Sequence, residues 1–430
     1  MNSSSTRHPQ WSDEAAQLDA EDALASYREQ FCFPQRHGEP VAYFCGNSLG
    51  LQPKRTEAII AEELEDWRRY AVEGHFQSRR PWYSYHRWFA EPLARIIGAK
   101  PHEVVAMNTL TVNLHLMMST FYRPTQQRHA IIMAGGEFPS DRYAIESQIR
   151  LHGFDPAVSM IEVQPQDNTQ FIQTEQVIDA IRANADSVAL VMFSGVHFYS
   201  GQFFDVEAIT RVAHEVGAIA GFDLAHAAGN VALSLHDWDV DFAVWCSYKY
   251  LNAGPGGVAG MFVHERYANR PDLPRLAGWW GNDEATRFSM AHSFVPSYGA
   301  DGWQLSNAQV LPLAALMASL EIFDRAGMDR IGVKRDLLTG FLERLLREVA
   351  AERPWIRCIT PTDPRQRGAQ LSVHFDRNGR EIFEALIAHG VIVDWRTPSV
   401  IRMAPAPLYT SFADVVRLAI TLETILESFE

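Results

Sequence analysis

Cysteine is scarce: the 430 residues contain four, Cys32, Cys45, Cys246 and Cys358. They form no CxxC pair and no disulfide-rich spacing, so reduced thiols in a cytoplasmic protein are the expectation. Long apolar runs are missing as well. No stretch is long enough to span a bilayer, and the opening MNSSSTRHPQWSDEAAQ lacks the apolar core of a signal peptide. Positive charge is in deficit, with 38 basic against 52 acidic side chains and a net of −14. Such a surface repels nucleic-acid phosphate and anionic lipid, so neither is an expected partner, although a local basic pocket for a small anion remains compatible with it. The 16 histidines form no HExxH or similar pair, and no metal site is indicated. Internal repeats and low-complexity segments are absent too.

What is present is alternation. Short apolar runs occur at 129–134 (HAIIMA), 158–163 (VSMIEV), 187–193 (SVALVMF), 218–223 (AIAGFD), 241–246 (DFAVWC) and 259–264 (AGMFVH). Helix-patterned segments such as 140–153 and 205–217 separate several of them. Strands apolar throughout, alternating with helices, predict a mostly parallel sheet covered on both faces. Ahead of this region, residues 1–15 read as a tail and 16–31 as a helix. VAYF enters a turn, Thr56 is placed to cap a helix, and 80–98 reads as another helix. Beyond 310 come two long helical segments (310–325, 328–351), then QLSVHF, a helix near 378–389, VIVDW, VIRMAP and a last helix at 411–427. The expected organisation is α/β. Residues 1–50 form an N-terminal segment on the smaller unit, 51–310 a large domain, and 311–430 a smaller α+β domain.

In parallel sheets the ligand crevice lies beyond the carboxyl ends of the strands. Asp223 closes one predicted strand, with His226 three residues on. Ser194 follows another, and Tyr248 and Lys249 follow a third. Singly, a strand-end Asp is more often a turn former, and a Lys beside a Gly-rich loop is usually solvated. The GPGG run at 254–257 lacks the lysine-serine ending of a phosphate loop and reads as a turn. Together and in order, the residues are those pyridoxal phosphate requires. A lysine amine forms the imine, and a carboxylate keeps the pyridine nitrogen protonated. Hydroxyls and helix starts hold the phosphate, and an aromatic ring covers one face.

The Asp-x-x-His then Ser-x-Lys order resembles fold-type-I pyridoxal-phosphate enzymes of the class V aminotransferase group. YFCGNSLGLQPK, FSGVHFYSGQ, GFDLAHAAGN, LHDWDVDFAVWCSYKYLNAGPGG, GWWG and IRMAPAPLY, spanning 43–409, narrow the resemblance to the kynureninase family. That resemblance implies a seven-stranded-type, mostly parallel sheet in the large domain and a homodimer with its active sites at the subunit interface. It implies pyridoxal 5'-phosphate on Lys249, Asp223 at the pyridine nitrogen, Phe138 stacked on the ring and Asp141 nearby. Leu110, Thr111 and Ser194 would serve the phosphate, and His226 and Tyr248 would line the site. Trp279 and Asn307 would come from the other subunit. Arg402 would clamp the substrate carboxylate, with His75, Ser48 and Asn307 around the substrate. The implied reaction, part of tryptophan degradation, is hydrolytic cleavage of L-kynurenine or 3-hydroxy-L-kynurenine to anthranilate or 3-hydroxyanthranilate and L-alanine. The alternatives are another class V enzyme, such as a cysteine desulfurase, selenocysteine lyase or aminotransferase, and a non-catalytic regulator of the same fold. A desulfurase needs a mobile cysteine, and past Lys249 only Cys358 remains, in the strand-like WIRCITP.

Overall fold

The protein is described here from a computed structural model covering residues 4–165, 171–290 and 292–429. Its elements in chain order begin with α1 (Ser4–Glu21), β1 (Ala42–Tyr43), α2 (Thr56–Tyr70), α3 (Arg87–Ile97), β2 (Val104–Ala106) and α4 (Leu110–Phe121). Next come β3 (Ala130–Ala134), α5 (Pro139–Leu151), β4 (Met160–Val163), α6 (Thr174–Ala183), β5 (Val188–Ser194), α7 (Val206–Glu215), β6 (Ile219–Asp223), β7 (Phe242–Trp245) and β8 (Gly260–Val263). The rest comprises α8 (Val310–Ala326), α9 (Met328–Ala350), β9 (Ile356–Cys358), β10 (Leu371–Phe375), α10 (Gly379–Ala388), β11 (Val391–Ile392), β12 (Asp394–Arg396), β13 (Val400–Met403) and α11 (Phe412–Glu427).

Seven strands form one sheet in the order β2-β8-β7-β6-β5-β3-β4. Parallel pairing joins β4, β3, β5, β6 and β7, whereas β8 runs antiparallel to both β7 and β2. Successive side chains point to opposite faces of a strand, and both faces here are apolar. Ile132, Val191, Phe193, Phe222 and Trp245 belong to one core cluster; Ile131, Met133, Leu190, Met192 and Val244 belong to another. Helices therefore cover both sides, as the uninterrupted apolar runs require. At Gly260 a Cβ would lie 2.1 Å from the Trp245 ring, so that glycine makes room for the buried indole.

A second, antiparallel sheet has the order β9-β10-β13-β12. Its core of Leu371, Val373, Ile401 and Met403 packs with Leu338 and Leu342 of α9 and Val415 and Leu422 of α11. Trp11 and Ala15 of α1 join that cluster. At the start of α11, Ser411 Oγ accepts from Asp414 N while Ser411 N donates to the Asp414 carboxylate, each at 3.1 Å. Asp19 accepts from the next two amides, Phe412 N at 2.8 Å and Ala413 N at 3.0 Å. Orphan donors at a helix start are thus met by the chain's own beginning.

Four local readings need correction. The first helix covers Ser4–Glu21 instead of 16–31, and 25–30 is a 3-10 turn. Tertiary partners decide this: His8 Nε2 lies 2.7 Å from Glu423, and Trp11 Nε1 donates to Glu348 at 2.9 Å. Thr56 is the first helical residue of α2, not its cap, and its hydroxyl has no partner. VIVDW splits, because Val391–Ile392 pairs with β1 and Asp394–Arg396 pairs with β13. Within 80–98, the α-helix proper is only Arg87–Ile97, after a 3-10 turn at Trp82–Ser84. Strand β2 was not anticipated; three residues are too short to show a period. The reversal at β8 follows from its connection, residues 246–259, which contains no helix to carry the chain back across the sheet.

Candidate active site

The parallel strands end together. Ser194 is in register with Asp223, and Asp223 with Val244, so three consecutive strand ends lie side by side. Two helix starts face them: Leu110 opens α4, and Phe138 is the cap residue before α5. Between them is a cavity of about 150 Å³. Leu110, Thr111, Phe138, Asp141, Ser194, Asp223, His226, Tyr248 and Lys249 all line it. All nine are residues that the sequence singles out; Glu137, Ser140, Val196, Phe198 and Ala225 on the same wall are not. Glu137 and Ser140 lie within GGEFPSD and Phe198 within FSGVHFYSGQ, so adjacency to named residues was the available signal.

Two carboxyls sit at the cavity floor. Asp223 accepts from Ala225 N at 2.6 Å. Burial pushes its carboxyl up to about 6, against the pull of the Lys249 ammonium and that backbone bond. Asp141 is raised well above the usual range, first by burial and then by the charges of Asp223 and Glu137. The two carboxyls influence each other directly across the cavity. His226 is held far below its ordinary value by burial, then by Lys249, Arg402 and Arg396, so its imidazole is neutral. Burial, and after it the Cys246 sulfur, raises the Tyr248 phenol and keeps its proton in place.

Several buried polar atoms here lack a protein partner: Ser194 Oγ, Asp141 Oδ1, His226 Nδ1 and Glu137 Oε2. Buried polar groups are normally satisfied, so an orphan group gathered on one cavity indicates a polar ligand. The donor set fits pyridoxal phosphate. An amine stands at Lys249, and a carboxylate pair is placed for a pyridinium. The start of α4, which has no acidic residue in its first turn, suits a phosphate. Thr111 Oγ1 lies 3.1 Å from Ser140 Oγ beside it. Phe138 is 43% exposed, and Phe198 meets it edge-on at 5.2 Å.

Five named residues lie off this cavity. Arg402 is buried on β13. Its Nη1 donates to Phe198 O at 2.7 Å, and its Nη2 bonds Asp394. Ser48 belongs to the turn after β1, and Gly50 of that turn donates to Tyr248 O at 2.8 Å, against the lysine loop. His75 bonds Val72 O at 3.0 Å and rests against Trp82. Trp279 is half exposed, packed on Trp280 and Phe288, and Asn307 is exposed ahead of α8. Elsewhere, Glu103, His236 and His264 bring ligand-type atoms within 4.8 Å of one another. There Glu103 already accepts from the His236 ring, Glu265 N and Lys100 N, and the two imidazoles stack at 4.9 Å. These bonds clasp the start of β2 to the residues after β8.

Residues 333–422 match the family described as Kynureninase C-terminal domain, and 59–234 match the DegT/DnrJ/EryC1/StrS aminotransferase family. The kynureninase of Myxococcus xanthus is 53% identical over 410 residues, covering 95% of this chain and 96% of that one. That of Flavobacterium johnsoniae is 51% identical over 402 residues, 93% and 95% of the two chains. That of Xanthomonas campestris pv. campestris strain B100 is 52% identical over 413 residues, 95% and 97%. Among solved structures, the cystine C-S lyase C-DES in complex with cysteine persulfide superposes with a TM-score of 0.75 at 17% identity, covering 89% and 97% of the two chains. The cysteine desulfurase CsdA from Escherichia coli gives 0.74 at 17%, covering 94% and 98%. Those structures share the fold, which is fold type I; the near full-length identity goes further, and the chain belongs to the kynureninase family.

Proposed function

We propose that this protein hydrolyses the Cβ–Cγ bond of L-kynurenine or 3-hydroxy-L-kynurenine, releasing L-alanine and anthranilate or 3-hydroxyanthranilate. The observation that carries the reading is Lys249, Asp223 and Asp141 on one cavity in a chain 53% identical to a kynureninase. When bound there, pyridoxal 5'-phosphate supplies an electron sink for the pair released at Cα. Lys249 would hold it through its side-chain amine and would take the Cα proton and return it. Asp223, with Asp141 beside it, keeps the pyridine nitrogen protonated. Phe138 covers the ring, and Leu110, Thr111 and Ser194 hold the phosphate. His226, neutral, faces the cofactor without adding charge. Water adds to the substrate ketone at Cγ as the Cβ–Cγ bond breaks. Tyr248, kept protonated, is the proton donor or relay, a role commonly contributing about a hundredfold or more. Arg402 binds the α-carboxylate, and Ser48 and His75 border the substrate.

The accompanying proposals are a homodimer, to whose sites Trp279 and Asn307 cross from the other subunit, and a cytoplasmic location. The half-exposed Trp279 and exposed Asn307 support the first; four unpaired cysteines support the second. The division into residues 51–310 and 311–430, with 1–50 on the smaller unit, belongs with them. Trp11 packed in the second sheet's core and β1 paired with β11 support the placing of 1–50, whereas Leu313, Leu316, Leu320 and Phe323 of α8 lie in the first sheet's core and favour a boundary beyond α8. A desulfurase reading has nothing in its favour beyond the fold: Cys358 lies within β9, and burial raises the buried Cys45 thiol to about 12. Purified protein incubated with each substrate should produce anthranilate fluorescence, or its 3-hydroxy analogue, together with equimolar alanine. Cofactor-loaded protein that releases neither product refutes the assignment, and the ratio of kcat/KM values ranks the two substrates.

A further inference from the structure

The second sheet turns one polar face toward the first. On β13, Arg402 stands opposite Asp394 of β12 and Ser372 of β10 in the ladder. Arg396, two residues beyond Asp394, shares its face by the alternation of a strand. Asp394 Oδ2 accepts from both guanidiniums, from Arg396 Nη2 at 3.0 Å and from Arg402 Nη2. The Arg402 side chain is 1% exposed and that of Asp394 13%. From the first sheet's side, Phe198 O accepts from Arg402 Nη1 at 2.7 Å. Two of the five guanidinium N–H donors are thereby committed. Nε is buried without a partner.

We infer that Asp394 is a positioning residue: it fixes the Arg402 fork, with the Phe198 carbonyl, so that the uncommitted donors meet a substrate α-carboxylate. This rests on the proposed role of Arg402. A flexible guanidinium would lose rotamer freedom on binding a carboxylate, whereas a fork already held loses little. Asp394 also leaves the trio with a net charge of +1, from two guanidiniums and one carboxylate. That balance suits a single carboxylate, the one acidic group of an α-amino acid with an uncharged side chain.

Charge and orientation can be separated. Asp394→Ala removes the shared acceptor and raises the trio to +2. The double variant Asp394→Ala/Arg396→Gln removes the same acceptor and keeps +1. Each cofactor-loaded protein is titrated with L-alanine, followed by the change in cofactor absorbance, and with ethylamine, which lacks the carboxylate. Both variants should bind alanine about tenfold or more weakly, the scale of lost charge-assisted hydrogen bonds, with ethylamine affinity unchanged. In turnover the loss should fall on KM, because the carboxylate contact is the same in ground and transition states. Alanine affinity equal to wild type in the double variant would overturn the inference, since Asp394 would then only balance charge. Tighter alanine binding by Asp394→Ala would overturn it too, as would equal weakening for ethylamine. Should the single variant fail to load cofactor, the double variant decides alone. Alanine titration requires no kynurenine turnover, so failure of the assigned reaction stays distinguishable from failure of this inference.

Discussion

Replacing Lys334 by Met should destabilise the protein far more than removing Lys334 and its partner charge together. Lys334 of α9 meets Asp22, just after α1, at 2.6 Å, and their side chains are 6% and 4% exposed. At that separation the attraction is about 6 kcal/mol with an effective dielectric near 20. Desolvation opposes it: burial lowers the Lys334 pKa despite the carboxylate alongside. The pair as a whole therefore contributes little net stability, while one charge left alone is costly. Lys334→Met should lose about 3–5 kcal/mol, and Asp22→Asn/Lys334→Met should return to within about 1 kcal/mol of wild type. Asparagine preserves the acceptor for Leu24 N, now 2.8 Å from Asp22 Oδ1, so the double variant isolates the charge. The assay is urea unfolding followed by tryptophan fluorescence, comparing midpoints at common slope. A single-variant loss below about 1 kcal/mol would refute the reasoning, showing that water reaches the pair freely.

Lys249→Ala should abolish both the absorbance of the lysine-bound cofactor and turnover; a variant retaining full turnover removes the basis of the proposed function. His226 predicts a pH effect on the cofactor-free protein. Its folded pKa lies well below the ordinary 6.5, so below about pH 6.5 the unfolded chain binds a proton the native state does not. Stability should fall on acidification by up to about 1.4 kcal/mol per pH unit from this one group. His226→Gln should flatten the stability profile between about pH 6.5 and 5 relative to wild type, and identical profiles count against a neutral buried imidazole.

The large sheet was legible because its strands are apolar on both faces, a pattern with few other solutions in a soluble chain. The cavity followed from it: once β5, β6 and β7 are parallel neighbours, the residues after Ser194, Asp223 and Trp245 have to meet. Less visible was whatever depends on pairing across a long separation. Asp394 reads in sequence as one polar residue in VIVDW; its meaning comes from lying opposite Arg402. Asp141 is singled out only by the family resemblance; its pairing with Asp223 depends on β6 bringing the two together. The start of the chain was misread for the same reason. Ser4–Glu21 is helical with Glu423 and Glu348 as partners, and neither is near in sequence.

The docking of α1 also bears on how the protein is made. Asp19 caps a helix that begins at Phe412, and Ala42 pairs with Val391. These partners are synthesised roughly 350 to 400 residues later. At about 5–20 residues per second the first segment leaves the ribosome roughly 20–80 s before its docking site exists. For that interval Trp11 and Phe44, both buried in the finished molecule, have no core to enter. A nascent chain arrested before residue 390 should thus expose them to chaperones and proteases, and their protection should coincide with translation of the helix that begins at Phe412.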